Sequence, residues 1–269
     1  MPLKSWNIFI HNMSASYPKY FEEKIIPILK GFSGSRLEKL FCESDLSNIG
    51  IFLRRFSPDG GIFKWSIPDE VNFKRVNFLE KIEDSTLVAI SHFLFNFYFI
   101  SRGEYSNFFA EQLDNDYSQI IPKIKDANIA ELDFFFWNLW MAMPKSKKSR
   151  IFNDEIIRRF ILNKSTKEIK DKEYLLGLIG TLKLSMSPVP EGLIELITAE
   201  NAKSICKKTI KEGSIKFVRL FGGCLLLLLK DNLKEIYNNI PKTSFQFNIH
   251  VPNQIDAVNF ISSEIERLE

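Results

Sequence analysis

With 269 residues, 45% hydrophobic and 26% charged side chains and a net charge of only +3, the chain reads as a soluble globular protein whose total charge favours no particular partner. Its three cysteines, Cys42, Cys206 and Cys224, are widely spaced and form no C-x-x-C pair, which argues against a disulfide framework or a cysteine zinc site and for a reducing, cytoplasmic setting.

Residues 1–13 lack the charged-then-apolar plan of a signal peptide. Residues 17–31 predict an amphipathic helix with Phe21, Ile25, Ile28 and Leu29 on one stripe and Gly31 as its stop. A turn at Ser33-Gly34-Ser35 leads to a helix over 36–42. Ser57-Pro58-Asp59-Gly60-Gly61 is strong turn chemistry, and the following stretch, 62–67, predicts an extended segment. Residues 86–100 are apolar on nearly all sides, the mark of a helix buried between other helices. Helices are then expected over 104–113, 117–125, 129–143, 174–184 and 215–229. The last is the longest apolar stretch, interrupted by Arg219 and too short to span a bilayer. Alternating polar and apolar residues from Ser244 to Val251 predict a half-buried strand, and Asn253 could cap a final helix.

A period organises these segments. Lys81-Ile82 and Asp84 recur as Lys123-Ile124 and Asp126, and Phe93 and Asn96 recur as Phe135 and Asn138, each 42 positions on. Another step lands on Gly180 and then Gly222, and one step back from Asn96 lands on Arg54. Such self-similarity is the signature of a repeat architecture. The expected fold class is all-α: an α-solenoid of about four to five 42-residue helical repeats with a small strand-plus-helix C-terminal cap. Residues 1–70 would hold the N-terminal helices and an irregular first repeat, 71–241 the solenoid and 242–269 the cap.

Candidate chemistry is sparse. No phosphate-cradling glycine motif and no nucleophile elbow occurs, and three well-separated histidines offer no catalytic base or joint metal site. No enzyme activity, cofactor or metal is therefore expected. Arg54, Asn96 and Asn138 are the candidate protein-binding residues. The two amides lie in Phe-rich helices and would either bond neighbouring backbone as a stacking ladder or line a groove for an extended peptide. A duplex nucleic acid is the alternative partner. Lys145, Lys147, Lys148, Arg150, Arg158 and Arg159 form one basic cluster, and Lys203, Lys207, Lys208 and Lys211 a second. On successive repeats they would make a stripe that follows phosphates. His92 and Cys224 read as core residues.

These paired-helix units resemble HEAT or armadillo repeats over about residues 36–241. The resemblance departs from the armadillo pattern at Trp137-Asn138, which are adjacent rather than one helical turn apart. The Phe/Trp-rich units are also similar to helical arrays at the C-terminal end of STAND-type signalling ATPases. That resemblance implies a sensor or scaffold part without a nucleotide-binding domain. The function expected is a non-enzymatic protein-interaction scaffold or sensor in the cytoplasm, away from membranes.

Overall fold

The computed structural model describes residues 1–54, 71–101, 104–144, 149–167, 171–185, 187–211, 217–228, 232–233 and 235–236. The chain forms two compact units, Met1–Leu113 and Asp114–Glu269.

The first unit opens with α1 (Leu3–Ser16), a helix not expected from its scattered polar residues. A continuous helical stretch follows: α2 (Pro18–Tyr20), a π-helical turn over Phe21–Ile25, and α3 (Ile26–Lys30). Pro27 explains the π turn, because it has no N–H for the carbonyl four residues back and its ring crowds that carbonyl. The wider turn shifts the register, so the buried stripe resumes at Leu29 while Ile28, expected on that stripe, is exposed. Next come α4 (Gly34–Cys42), α5 (Leu46–Arg54), α6 (Phe78–Glu83), α7 (Leu87–Ser101) and α8 (Glu104–Asn115), the last running just past the boundary between the units. Ser33 caps α4 by accepting from the Arg36 N–H, and Lys81 Nζ donates to the carbonyls of Cys42 and Ser44 at 2.8 and 2.6 Å, closing the other end of that helix. α5 packs on both α1 and α7. The core between them is a run of rings in mutual contact: Phe41, Phe52, Phe73, Phe78, Phe93, Phe97 and Phe109, all buried.

The second unit comprises α9 (Ile120–Asp126), α10 (Ile129–Ala142), α11 (Arg150–Asn153), α12 (Glu155–Lys167), α13 (Lys172–Leu184), α14 (Glu191–Ile194), α15 (Ala199–Lys211) and α16 (Phe217–Leu227). α10 starts on a capping box: Asn128 Oδ1 accepts from the Glu131 N–H at 3.0 Å, and Glu131 Oε2 accepts from the Asn128 N–H at 2.9 Å. It stops because Met143, the residue before Pro144, is driven into an extended conformation (φ −74°, ψ 144°). α13 lies against both α10 and α16, and α15 packs on α16.

The most apolar of the longer helices begin at Leu46, Leu87, Ile129, Lys172 and Phe217, at intervals close to the sequence period. Phe93 and Phe135, paired by the period, are both buried. The expected fold class needs correction on one point. Every element among the described residues is helical and none is a strand, so no strand-plus-helix cap stands among them. A strand must find a neighbouring edge for its backbone N–H and C=O groups, whereas helices pair theirs internally, and no described segment offers such an edge. Residues 242–269, where that cap was placed, and residues 62–67 lie outside the described residues. No helix among the described residues is long and apolar enough to cross a membrane.

Candidate functional site

The three residues expected to bind a protein partner occupy different environments. Arg54 ends α5 and is exposed. It lies near half-buried His92, whose pKa is lowered first by burial and then by the Arg54 charge. Asn96 and Asn138 are enclosed, at 4% and 0% exposure. A Cβ on Gly50 would stand 3.5 Å from Asn96 Nδ2, ordinary contact distance, so α5 lies against α7 beside the amide. Asn138 has no hydrogen-bond partner for either amide atom among the described residues. The expected ladder is thus absent at Asn138, and the expected groove is closed over it.

Most of the described basic side chains are engaged within the chain. Arg159 pairs with Glu155 at 2.8 Å, Arg150 reaches the Asn115 carbonyl at 3.4 Å, and Arg158 is half-buried with its Nη2 3.5 Å from the Asn153 carbonyl. Lys203 and Lys207 both grip Glu235, whose carboxyl is held down to about 2 by hydrogen bonds from these two ammonium groups. Lys203 also donates to Asn232 Oδ1 at 2.8 Å. Lys208 is exposed. Lys145, Lys147 and Lys148, and the side chain of Lys211, lie outside the described residues.

The most unusual polar group is one that the sequence reading passed over. Asp133 on α10 and Arg219 on α16, 86 positions apart, meet at 2.7 Å with side chains only 1% and 8% exposed. They meet over α13 at Gly177. A Cβ there would stand 2.6 Å from Asp133 Oδ1 and 2.9 Å from Arg219 Nε, so any larger residue would push the pair aside. The guanidinium also lies 5.8 Å from the centre of the Trp137 ring. Removing two charges from water costs several kcal/mol per ion, and that cost is recovered only while both partners are present. Arg219 had shown itself as a lone charge in an apolar run, but its partner two helices away has no local sign. Gly177 follows from the same geometry.

Two further carboxylates serve as caps. Asp114, fully buried, accepts from Ser149 Oγ at 2.6 Å and from the Ile151 N–H at 3.1 Å, which anchors the start of α11. Asp154 accepts from the Ile157 N–H at 2.9 Å at the start of α12 and from Tyr117 Oη at 2.8 Å. Burial pushes the Asp154 carboxyl up, but the bonds from Ile157 and Tyr117 outweigh it and leave the pKa lowered. The same hydrogen bond to Asp154, aided by burial, raises the Tyr117 pKa. Chemically, these acids orient helices. Among the described residues no group of three or more His, Cys, Asp or Glu is placed to hold a metal ion.

A comparison with protein-family models, curated proteins and solved structures found no match for the chain. The described residues define an all-α architecture with a buried ion pair in one of its two units.

Proposed function

We propose that the chain is a non-enzymatic protein-interaction module, a scaffold or sensor built as a HEAT-like helical array. The observation that carries this reading is where the large apolar side chains are exposed. Ile8, Tyr17, Tyr20, Ile28 and Ile51 are all 45% exposed or more, and they sit on the first helices of the chain. Those helices pack on one another, α1 on α5 and on the π turn that joins α2 to α3. In the second unit only Ile156 is comparably exposed among the described residues. Scattered apolar residues need no explanation, whereas a concentration on one packed group suits contact with an apolar face of another protein. Even spacing of the long helices supports the array. Three free thiols suit a reducing cytoplasm. Against the duplex reading, Glu235 neutralises much of the cluster at Lys203 and Lys207.

A photo-crosslinking residue placed at Ile28, and separately at Ile156, tests the reading in cells. Ile28 should yield a discrete protein adduct that Ile8→Asp with Ile51→Asp abolishes, while Ile156 yields none. The same diffuse pattern from both positions would refute the proposal.

A further inference from the structure

α15 and α16 form a helical hairpin, and the two cysteines of the second unit lie in it at positions that roughly mirror each other about the connection. Cys206 is on α15 and Cys224 on α16, 18 positions apart, and both side chains are fully buried. Their sulfurs stand 2.8 Å apart, between sulfur contact distance and the roughly 2.05 Å of an S–S bond. The Cys224 thiol also has the Ala202 carbonyl as an acceptor at 3.7 Å. Cys42, by contrast, is exposed and belongs to the other unit. Two facing thiols on adjacent packed helices need only a small adjustment to join.

We infer that Cys206 and Cys224 are a dithiol modification site, oxidised to an intramolecular disulfide by a peroxide-class oxidant. In the first step one thiolate attacks a peroxide oxygen, the O–O bond breaks, hydroxide leaves, and that sulfur becomes a sulfenic acid. The second thiolate then attacks the sulfenic sulfur, the S–S bond forms and hydroxide leaves again. The two hydroxides take up the protons released by the two thiols. The sum is two thiols and one hydrogen peroxide giving one disulfide and two waters, with sulfur oxidised and the peroxide oxygens reduced. Enclosure governs the rate. The Cys224 thiol is pushed to higher pKa by its bond to Cys206 and by burial, so little thiolate forms until the hairpin opens locally. The site therefore answers sustained oxidant rather than a brief pulse. Once formed, the bond locks α15 to α16, the helix that carries Arg219.

The test uses the full chain with the exposed thiol removed, Cys42→Ser, incubated with hydrogen peroxide, then alkylated in denaturant and mapped by mass spectrometry without reduction. Both remaining thiols should be lost together, with one peptide pair joined through Cys206 and Cys224. The melting temperature should rise by several degrees and fall back on treatment with dithiothreitol. The further variant Cys206→Ala should give no internal crosslink and no rise. Recovery of Cys206 and Cys224 as alkylated thiols, as sulfinic acids, or in crosslinks between chains would overturn the inference.

Discussion

The two units fill similarly spaced helices in opposite ways. In Met1–Leu113 the core around α4 to α8 is taken up by phenylalanine rings in edge, tilted and stacked contact. In Asp114–Glu269 the helices α13 and α16 instead close on glycine. A Cβ on Gly180 would stand 1.6 Å from the Arg219 carbonyl oxygen, and one on Gly223 would stand 2.6 Å from the Leu176 carbonyl oxygen. Backbone contact replaces ring contact. The close approach has a consequence for chemistry, since it brings α10 and α16 near enough for Asp133 and Arg219 to pair across the helix between them. Large rings keep helices apart and need no polar pairing, while small residues draw them together and let charged side chains meet.

The largest expected effect tests that contrast directly. Gly180→Ala puts a methyl into backbone that cannot move aside, so α13 and α16 must separate. Overpacking of a core costs about 1–3 kcal/mol and more where nothing can yield. We expect loss of most of the cooperative thermal transition of this unit. The matching change in the first unit, Gly50→Ala, meets atoms no nearer than 3.5 Å and should be neutral or stabilise by up to about 1 kcal/mol through helix propensity. Equal effects at the two sites, by circular dichroism melts, would erase the distinction.

The ion pair comes next. Asp133→Leu or Arg219→Met alone strands a buried charge and should cost about 3–5 kcal/mol in urea unfolding, whereas the double variant should recover most of that loss. Additive single effects would mean that the two groups do not depend on each other.

Much of this architecture could be read from the residues, and the reasons it stopped short are physical. Helices α7 and α10 were legible because Lys81 and Lys123, Phe93 and Phe135, and Asn96 and Asn138 repeat in step. α1 was missed because its buried face is only Leu3, Asn7 and Ile10, and Asn7 looks like a surface residue until its amide meets the Asn48 carbonyl at 2.9 Å. The apolar surface of the first unit was missed for a related reason: Ile28 looked like core, and the π turn ahead of it moved it outward. Pairs such as Asp133 with Arg219 and Cys206 with Cys224 depend on which helices touch, and no local pattern carries that. The strand expected after Ser244 rests on alternation, which is local, and falls outside the described residues.

Asn138→Leu should have a smaller effect, of opposite sign. The amide is enclosed without a hydrogen bond among the described residues, a state worth about 1–3 kcal/mol against folding, and leucine matches its branched shape. The melting temperature should rise. A fall would show that the amide has a partner worth more than its burial costs.

The smallest effect expected is at Tyr117, and pH isolates it. Tyr117→Phe removes one half-exposed hydrogen bond to Asp154, worth about 0.5–1.5 kcal/mol and closer to the lower figure at such a site. The Asp154 carboxyl is lowered in the folded chain, so its contribution is present above the unfolded carboxylate value of about 3.9 and is lost as pH falls through the folded value. Tyr117 is raised in the folded chain, so its contribution is present below about pH 10 and is lost as pH climbs through the folded value. The stability difference between the wild type and Tyr117→Phe should therefore hold steady between about pH 5 and 9 and shrink at both ends. The Ile157 N–H still holds Asp154 in the variant, so the cap on α12 survives and the helix content should not change. A difference that stays constant down to the acid transition would mean that the phenol contributes packing alone, and that Asp154 is set by its backbone bonds without help from Tyr117.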